Sequence, residues 1–119
     1  MAAGVKRLRQ VLVVASDFDR QCAFYAGALG LELKFRDGNE WAQFATGDAS
    51  VALAGPREAL GAPPGTAVPV FEAADLAAFL AAVTAGGGTH GAVRDMGSHG
   101  RTVLARDPAG VLIAALQKT

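Results

Sequence analysis

Two stretches of the chain carry the same order of signals, 58 residues apart. In each, a short apolar run ends at an aspartate placed to cap a helix, Asp17 in the first and Asp75 in the second. After Asp17, Phe18, Cys22, Tyr25 and Leu29 fall at i, i+4, i+7 and i+11, one apolar stripe that predicts a helix stopped by Gly30. After Asp75, Leu76, Phe79, Leu80 and Val83 repeat that spacing, and Gly86-Gly87-Gly88 stops the helix. This glycine run closes a helix instead of opening one, so it reads as a cap and turn and not as a phosphate-binding loop.

Three strand candidates follow each helix: 31–36, 40–46 and 50–54 in the first half, and 89–95, 101–106 and 111–117 in the second. Asp37-Gly38-Asn39 and Gly47-Asp48-Ala49 supply hairpin turns in the first half; a Gly/Ser/His loop and Asp107-Pro108-Ala109-Gly110 supply them in the second. Residues 55–66 hold three of the five prolines and three glycines and read as a linker without regular structure. The pattern predicts a single α+β domain over residues 1–119, built from tandem βαβββ units at 8–54 and 67–117. Joined edge to edge, two such units give a half-open curved sheet with a concave cup and the helices outside.

Composition narrows the function classes. Apolar residues make up 51% and charged residues 18% of the chain, which argues against disorder. Eleven basic and eleven acidic residues cancel, leaving no basic excess to draw a nucleic acid. No apolar run approaches the roughly 18 residues of a membrane span. The basic residues ahead of Val11–Ala15 resemble a signal peptide, but that run is too short, so it reads as the first strand. The only cysteine, Cys22, cannot form an intrachain disulfide and fits a reducing, cytoplasmic setting.

The stretch from Gln10 to Leu33, with Asp17, Phe24-Tyr25 and Leu29-Gly30-Leu31, resembles the opening of the vicinal oxygen chelate superfamily, the glyoxalase, bleomycin-resistance and extradiol-dioxygenase group. Asp107-Pro108-Ala109-Gly110 before an apolar strand is similar to that family's closing turn, and the resemblance spans residues 8–117. It implies either a metalloenzyme or a metal-free binder. In the metal-dependent members a ligand stands on the first and last strand of each unit, the first-strand ligand seven residues before the capping aspartate. By that resemblance the four positions here are Gln10, Ala52, Val68 and Ala114. An amide oxygen can coordinate; a valine and two alanines cannot, and slips of one or two residues along the strands bring in no stronger donors than a serine. The expectation is therefore no metal, no cofactor and no catalytic residue.

His90 and His99 stand nine residues apart, without the spacing that pairs histidines on an ion, and read as solvated, with His99 a candidate for the cup rim. Cys22 lies on the inward stripe of its helix and reads as packing. Glu72 reads as a solvated strand end or as a binding or acid–base carboxylate facing the cup. With Phe44 turned toward the helix, strand alternation lines the cup with Gln10, Leu12, Val14, Trp41, Gln43 and Ala52 from the first unit. The second unit contributes Val68, Val70, Glu72, Arg101, Val103, Leu112, Ala114 and Leu116. Such a concavity suits an organic molecule with a planar or apolar surface, with Trp41 as stacking face. The expected ligand-binding set is Gln10, Leu12, Trp41, Gln43, Ala52, Val70, Glu72, Arg101 and Ala114. The expected function is a metal-free small-molecule binder of the bleomycin-resistance type, homodimeric by the same resemblance, that sequesters a metabolite or antibiotic. A glyoxalase-like lyase, isomerase or dioxygenase is the alternative.

Overall fold

The computed structural model describes residues 3–119. The chain divides into two compact units, Arg9–Val68 and the segment up to Leu8 together with Pro69–Thr119. The first strand, β1 (Val5–Val14), begins earlier than its apolar run and serves both units. Ala3, just ahead of it, packs against the apolar cluster of the second unit.

In the first unit, α1 spans Phe18–Ala23. Its entry is closed reciprocally: the Asp17 carboxylate accepts from the amide of Arg20, and the Gln21 side chain accepts from the amides of Ser16 and Asp17. The stripe predicted to run on to Leu29 breaks at a π-helical turn, Phe24–Ala28, where the amide of Leu29 donates to the carbonyl of Phe24. The wider turn inserts a residue and rotates the apolar face. Tyr25 and Ala26 meet the core, while Phe24 and Leu29 are exposed. The strands β2 (Glu32–Asp37), β3 (Trp41–Ala45) and β4 (Ser50–Ala54) follow, and the sheet order is β2-β3-β4-β1 with β1 and β4 parallel. Phe18, Cys22, Ala42, Phe44 and Leu53 form the core between α1 and the sheet. The linker at 55–66 is more ordered than its composition predicts: Pro56–Glu58 form a 3-10 turn and Ala59 and Ala62 are buried.

The second unit repeats the plan with β5 (Ala67–Ala73) and α2 (Leu76–Ala85). Asp75 caps α2 by accepting from the amides of Ala77 and Ala78, and Gln117 Oε1 takes the amide of Leu76. The strand predicted over 89–95 is two short pieces, β6 (Thr89–His90) and β7 (Arg94–Asp95), because the chain leaves the sheet at Gly91 to Val93. Both pair with β8 (Arg101–Arg106), which pairs with β9 (Leu112–Gln117), and β9 runs parallel to β5. Leu76, Phe79, Val103, Ala105 and Ala115 form this unit's core. Both units are thus α+β, each an open sheet carrying one helix on one face.

Candidate functional site

Strand register builds the face of the first sheet turned away from α1. Gln10 lies opposite Ser50, Leu12 opposite Ala52 and Val14 opposite Ala54. Gln43 lies opposite Ala52 and Trp41 opposite Ala54. Since Ala42, Phe44 and Leu53 pack against α1, alternation puts Gln10, Leu12, Trp41, Gln43 and Ala52 together on the other face, as the sequence predicts. Their accessibility differs. Leu12 and Ala52 are buried and Gln10 nearly so, which leaves Trp41 and Gln43, both half-buried, as the surface a molecule can touch. Trp41 Nε1 donates to Gln43 Oε1 at 3.4 Å, and Ser50 Oγ donates to Gln10 Oε1 at 3.4 Å.

Phe35 belongs to the same face and was missed from the sequence. It pairs with Gln43 and is 58% exposed, an aromatic ring on the strand beside Trp41 and Gln43. A bulge sets its direction: Leu33 pairs with Phe44 and Phe35 with Gln43, so Lys34 is the extra residue and the strand changes face around it. Nothing in the alternation of residues 31–36 announces that bulge.

In the second unit, Val70 lies opposite Ala114 and Glu72 opposite Leu116 on the face away from α2. Val70 and Ala114 are buried, so they too pack instead of lining open space. Arg101 and Val103 do not join them. Arg101 pairs with Gln117 and Val103 with Ala115, a core residue under α2, so β8 sits one residue out of the predicted register and Thr102 and Leu104 take the other face. Arg101 instead donates to Gln117 Oε1, the same oxygen that receives the first amide of α2.

Glu72 is 8% exposed, and three cations converge on it. Arg7 Nε donates to Oε1 at 3.3 Å, Lys118 Nζ lies 3.8 Å from Oε1, and Lys6 Nζ lies 3.8 Å from Oε2. Burial pushes its carboxyl up, but the Arg7 hydrogen bond and the charges of Lys118, Arg7 and Lys6 outweigh that and hold it below the usual carboxylate range. The three cations around it make Glu72 an ion-pair anchor in this unit, with its charged form favoured over its protonated one.

Arg36, from β2, crosses to α1: it donates to Asp19 at 2.6 Å and to Asn39 at 2.9 Å, reaches the Cys22 sulfur at 3.5 Å and lies over the Phe18 ring. The Asp19 hydrogen bond raises Arg36 above the ordinary guanidinium value, against the lowering by burial. Cys22 is buried. His90 and His99 are exposed, the latter in a 3-10 turn, and His90 Nδ1 is 2.8 Å from the carbonyl of Gly91.

Of the positions that the resemblance implies for metal ligands, Gln10 carries an amide, while Ala52, Val68 and Ala114 are fully buried and have no side-chain donor atom. Ser50 adds a neutral hydroxyl beside Gln10. Among the described residues no three His, Cys, Asp or Glu side chains converge. An amide and a hydroxyl alone do not fit a divalent ion, which takes three or more N, O or S donors of stronger charge or basicity. Among the described residues no helix is long and apolar enough to cross a membrane.

The profile of the Glyoxalase/Bleomycin resistance protein/Dioxygenase superfamily matches residues 7–115. Methylmalonyl-CoA epimerase from Mycobacterium tuberculosis superposes with a TM-score of 0.76 at 20% identity, over 100% of this chain and 92% of that one. A hypothetical protein from Bacillus halodurans gives 0.76 at 13% identity, over 95% and 94%. A variant of the Streptomyces coelicolor methylmalonyl-CoA epimerase, in complex with 2-nitronate-propionyl-CoA, gives 0.75 at 20% identity, over 97% and 96%. At these identities the likeness is one of fold. No curated protein is significantly similar to the chain in sequence.

Proposed function

Because the chain belongs to the Glyoxalase/Bleomycin resistance protein/Dioxygenase superfamily, we propose that it is a metal-free member that binds and sequesters a small apolar or aromatic molecule, a metabolite or an antibiotic. The observation that carries this reading is the helix-free face of the Arg9–Val68 unit. There Trp41 and Phe35 offer aromatic surface around Gln43, and Leu12 and Ala52, on the neighbouring strands of the same face, are already packed. Aromatic surface supplies affinity by burial, at about 25 cal/mol per Å² before association costs, while the Gln43 amide orients the ligand. The donor-poor positions Ala52, Val68 and Ala114 support the metal-free half of the proposal. Elemental analysis of purified protein is expected to find no stoichiometric transition metal. About one tightly bound ion per chain, lost in Gln10→Ala, would instead establish a metal-dependent lyase, isomerase or dioxygenase.

The ligand face is tested through its indole. With 1-naphthol as a flat, neutral probe, Trp41→Ala is expected to weaken binding by roughly 1–3 kcal/mol, one to two decades in Kd, without unfolding the domain. Quenching of the single tryptophan reads the same event in the parent protein. Unchanged affinity in Trp41→Ala would move the ligand off this face.

The proposal includes a cytoplasmic homodimer. The exposed apolar residues Phe24, Leu29 and Leu33, close together in sequence, and the free edge of β2 support self-association. Light scattering is expected to give twice the 12.1 kDa chain mass at micromolar concentration; a stable monomer would contradict it.

A further inference from the structure

We propose that Lys6, Arg7 and Lys118, gathered on Glu72, form a binding site for a multiply charged oxyanion, such as the phosphate or dicarboxylate group of a small molecule. The argument starts from charge. One carboxylate faces three cations, so these four groups together carry +2 in a chain whose formal net charge is zero. The distances add a second point. A charge-assisted N–H···O bond closes at about 2.7–2.9 Å. Both lysine ammonium groups stop at 3.8 Å from Glu72, so they attract it without spending a short hydrogen bond on it. Burial makes the third point. Glu72 is largely buried, whereas the side chains of Lys6, Arg7 and Lys118 are 59%, 45% and 54% exposed, so the negative charge lies inside and the donors face outward.

Topology explains why the cluster exists. Lys6 and Arg7 enter on the first half of β1, Glu72 ends β5, and Lys118 follows β9, so the start, middle and end of the sequence meet at one corner of the second unit. Glu72 is the positioning residue: it gathers mutually repelling cations, and it limits the potential that they present. An oxyanion arriving from solvent would accept hydrogen bonds from both ammonium groups within the positive field that the nearby guanidinium adds to, which two isolated surface lysines cannot offer. The site lies wholly within the unit formed by the segment up to Leu8 and Pro69–Thr119, and it does not depend on the aromatic face of the other unit.

The test titrates the full chain with inorganic pyrophosphate and, separately, with succinate at low ionic strength, followed by calorimetry. The two probes separate a phosphate from a dicarboxylate source. At least one is expected to bind with a Kd below about 1 mM, and the Lys6→Ala/Lys118→Ala double variant to weaken it about tenfold or more. Glu72→Gln, which keeps an acceptor for Arg7 but removes the opposing charge, is expected to tighten binding about threefold. A purely structural salt bridge would not produce that tightening. Lys34→Ala, an exposed lysine of the other unit paired with Glu32, should leave the affinity unchanged. The proposal is overturned if neither probe binds up to about 10 mM, if the double variant binds as tightly as the parent, or if Lys34→Ala weakens binding equally. Thermal melts of each variant confirm that the folded protein is being titrated.

Discussion

Phe44→Ala is expected to remove about 3–5 kcal/mol of folding stability, the range for deleting a buried phenyl ring and leaving its volume empty. Phe44 is completely inaccessible. It sits between α1 and the sheet with Phe18, Cys22 and Leu53, and its ring centroid lies 5.7 Å from that of Tyr25. Its smallest buried companions, Ala15 and Ala42, cannot extend into the hole. Against a total stability of roughly 5–15 kcal/mol for a domain of this kind, the loss is about a fifth or more, and the midpoint should fall by roughly 10–20 °C. Phe35→Ala is the internal comparison, since Phe35 is on the neighbouring strand but exposed. Its stability change should stay within about 0.5 kcal/mol. Urea denaturation of the pair measures both. Equal losses would mean that β3 presents its other face to α1, since a slip of one residue exchanges the two sets of side chains.

Gly100→Ala is expected to destabilise the second unit by about 2–6 kcal/mol, through two separate faults. Gly100 has φ +99° and ψ −160°, a conformation that is essentially reserved for glycine and strained by about 1–3 kcal/mol in other residues. Its missing Cβ also matters: a methyl there would lie 2.3 Å from the carbonyl oxygen of Gln117 and 3.1 Å from the Cα of Lys118. Neither is a side chain that can swing away, so β8 and the end of β9 would have to part, adding roughly 1–3 kcal/mol. Gly110, at φ +88° but with nothing within 4 Å of where a methyl would stand, isolates the first fault. Gly110→Ala should lose only about 1–2 kcal/mol. Hydrogen exchange on β8 and β9 locates the damage. If the two alanine variants melt alike, steric approach at Gly100 contributes nothing and the backbone angle explains the whole effect.

Local chemistry sufficed for much of the architecture. Asp17 and Asp75 cap helices because a short carboxylate next to free amides does so in any context, and the stripe after Asp75 packs as its 3.6-residue period requires. The alternation of Ala42 and Phe44 with Trp41 and Gln43 already indicates the faces of β3, since the purely apolar pair Ala42 and Phe44 suits the helix side better than the pair that carries an indole N–H and an amide. The sequence RTVLAR of β8 offers no such preference. Thr102 and Leu104 alternate with Val103 and Ala105, both sets are tolerable against a helix, and pairing with β9 decided that Val103 turns inward and Arg101 goes with Gln117. The π-helical turn that exposes Leu29 and the bulge that redirects Phe35 are likewise set by how the chain is held at both ends. Glu72 shows the same limit most clearly. Its partners lie 65 residues before it and 46 after it, so no window of sequence contains the cluster, and the ion pairs that anchor it are a product of tertiary structure alone. Periodicity and capping act over one turn or one hairpin and can be read along the chain; strand register and the meeting of distant charges depend on which segments the fold brings side by side.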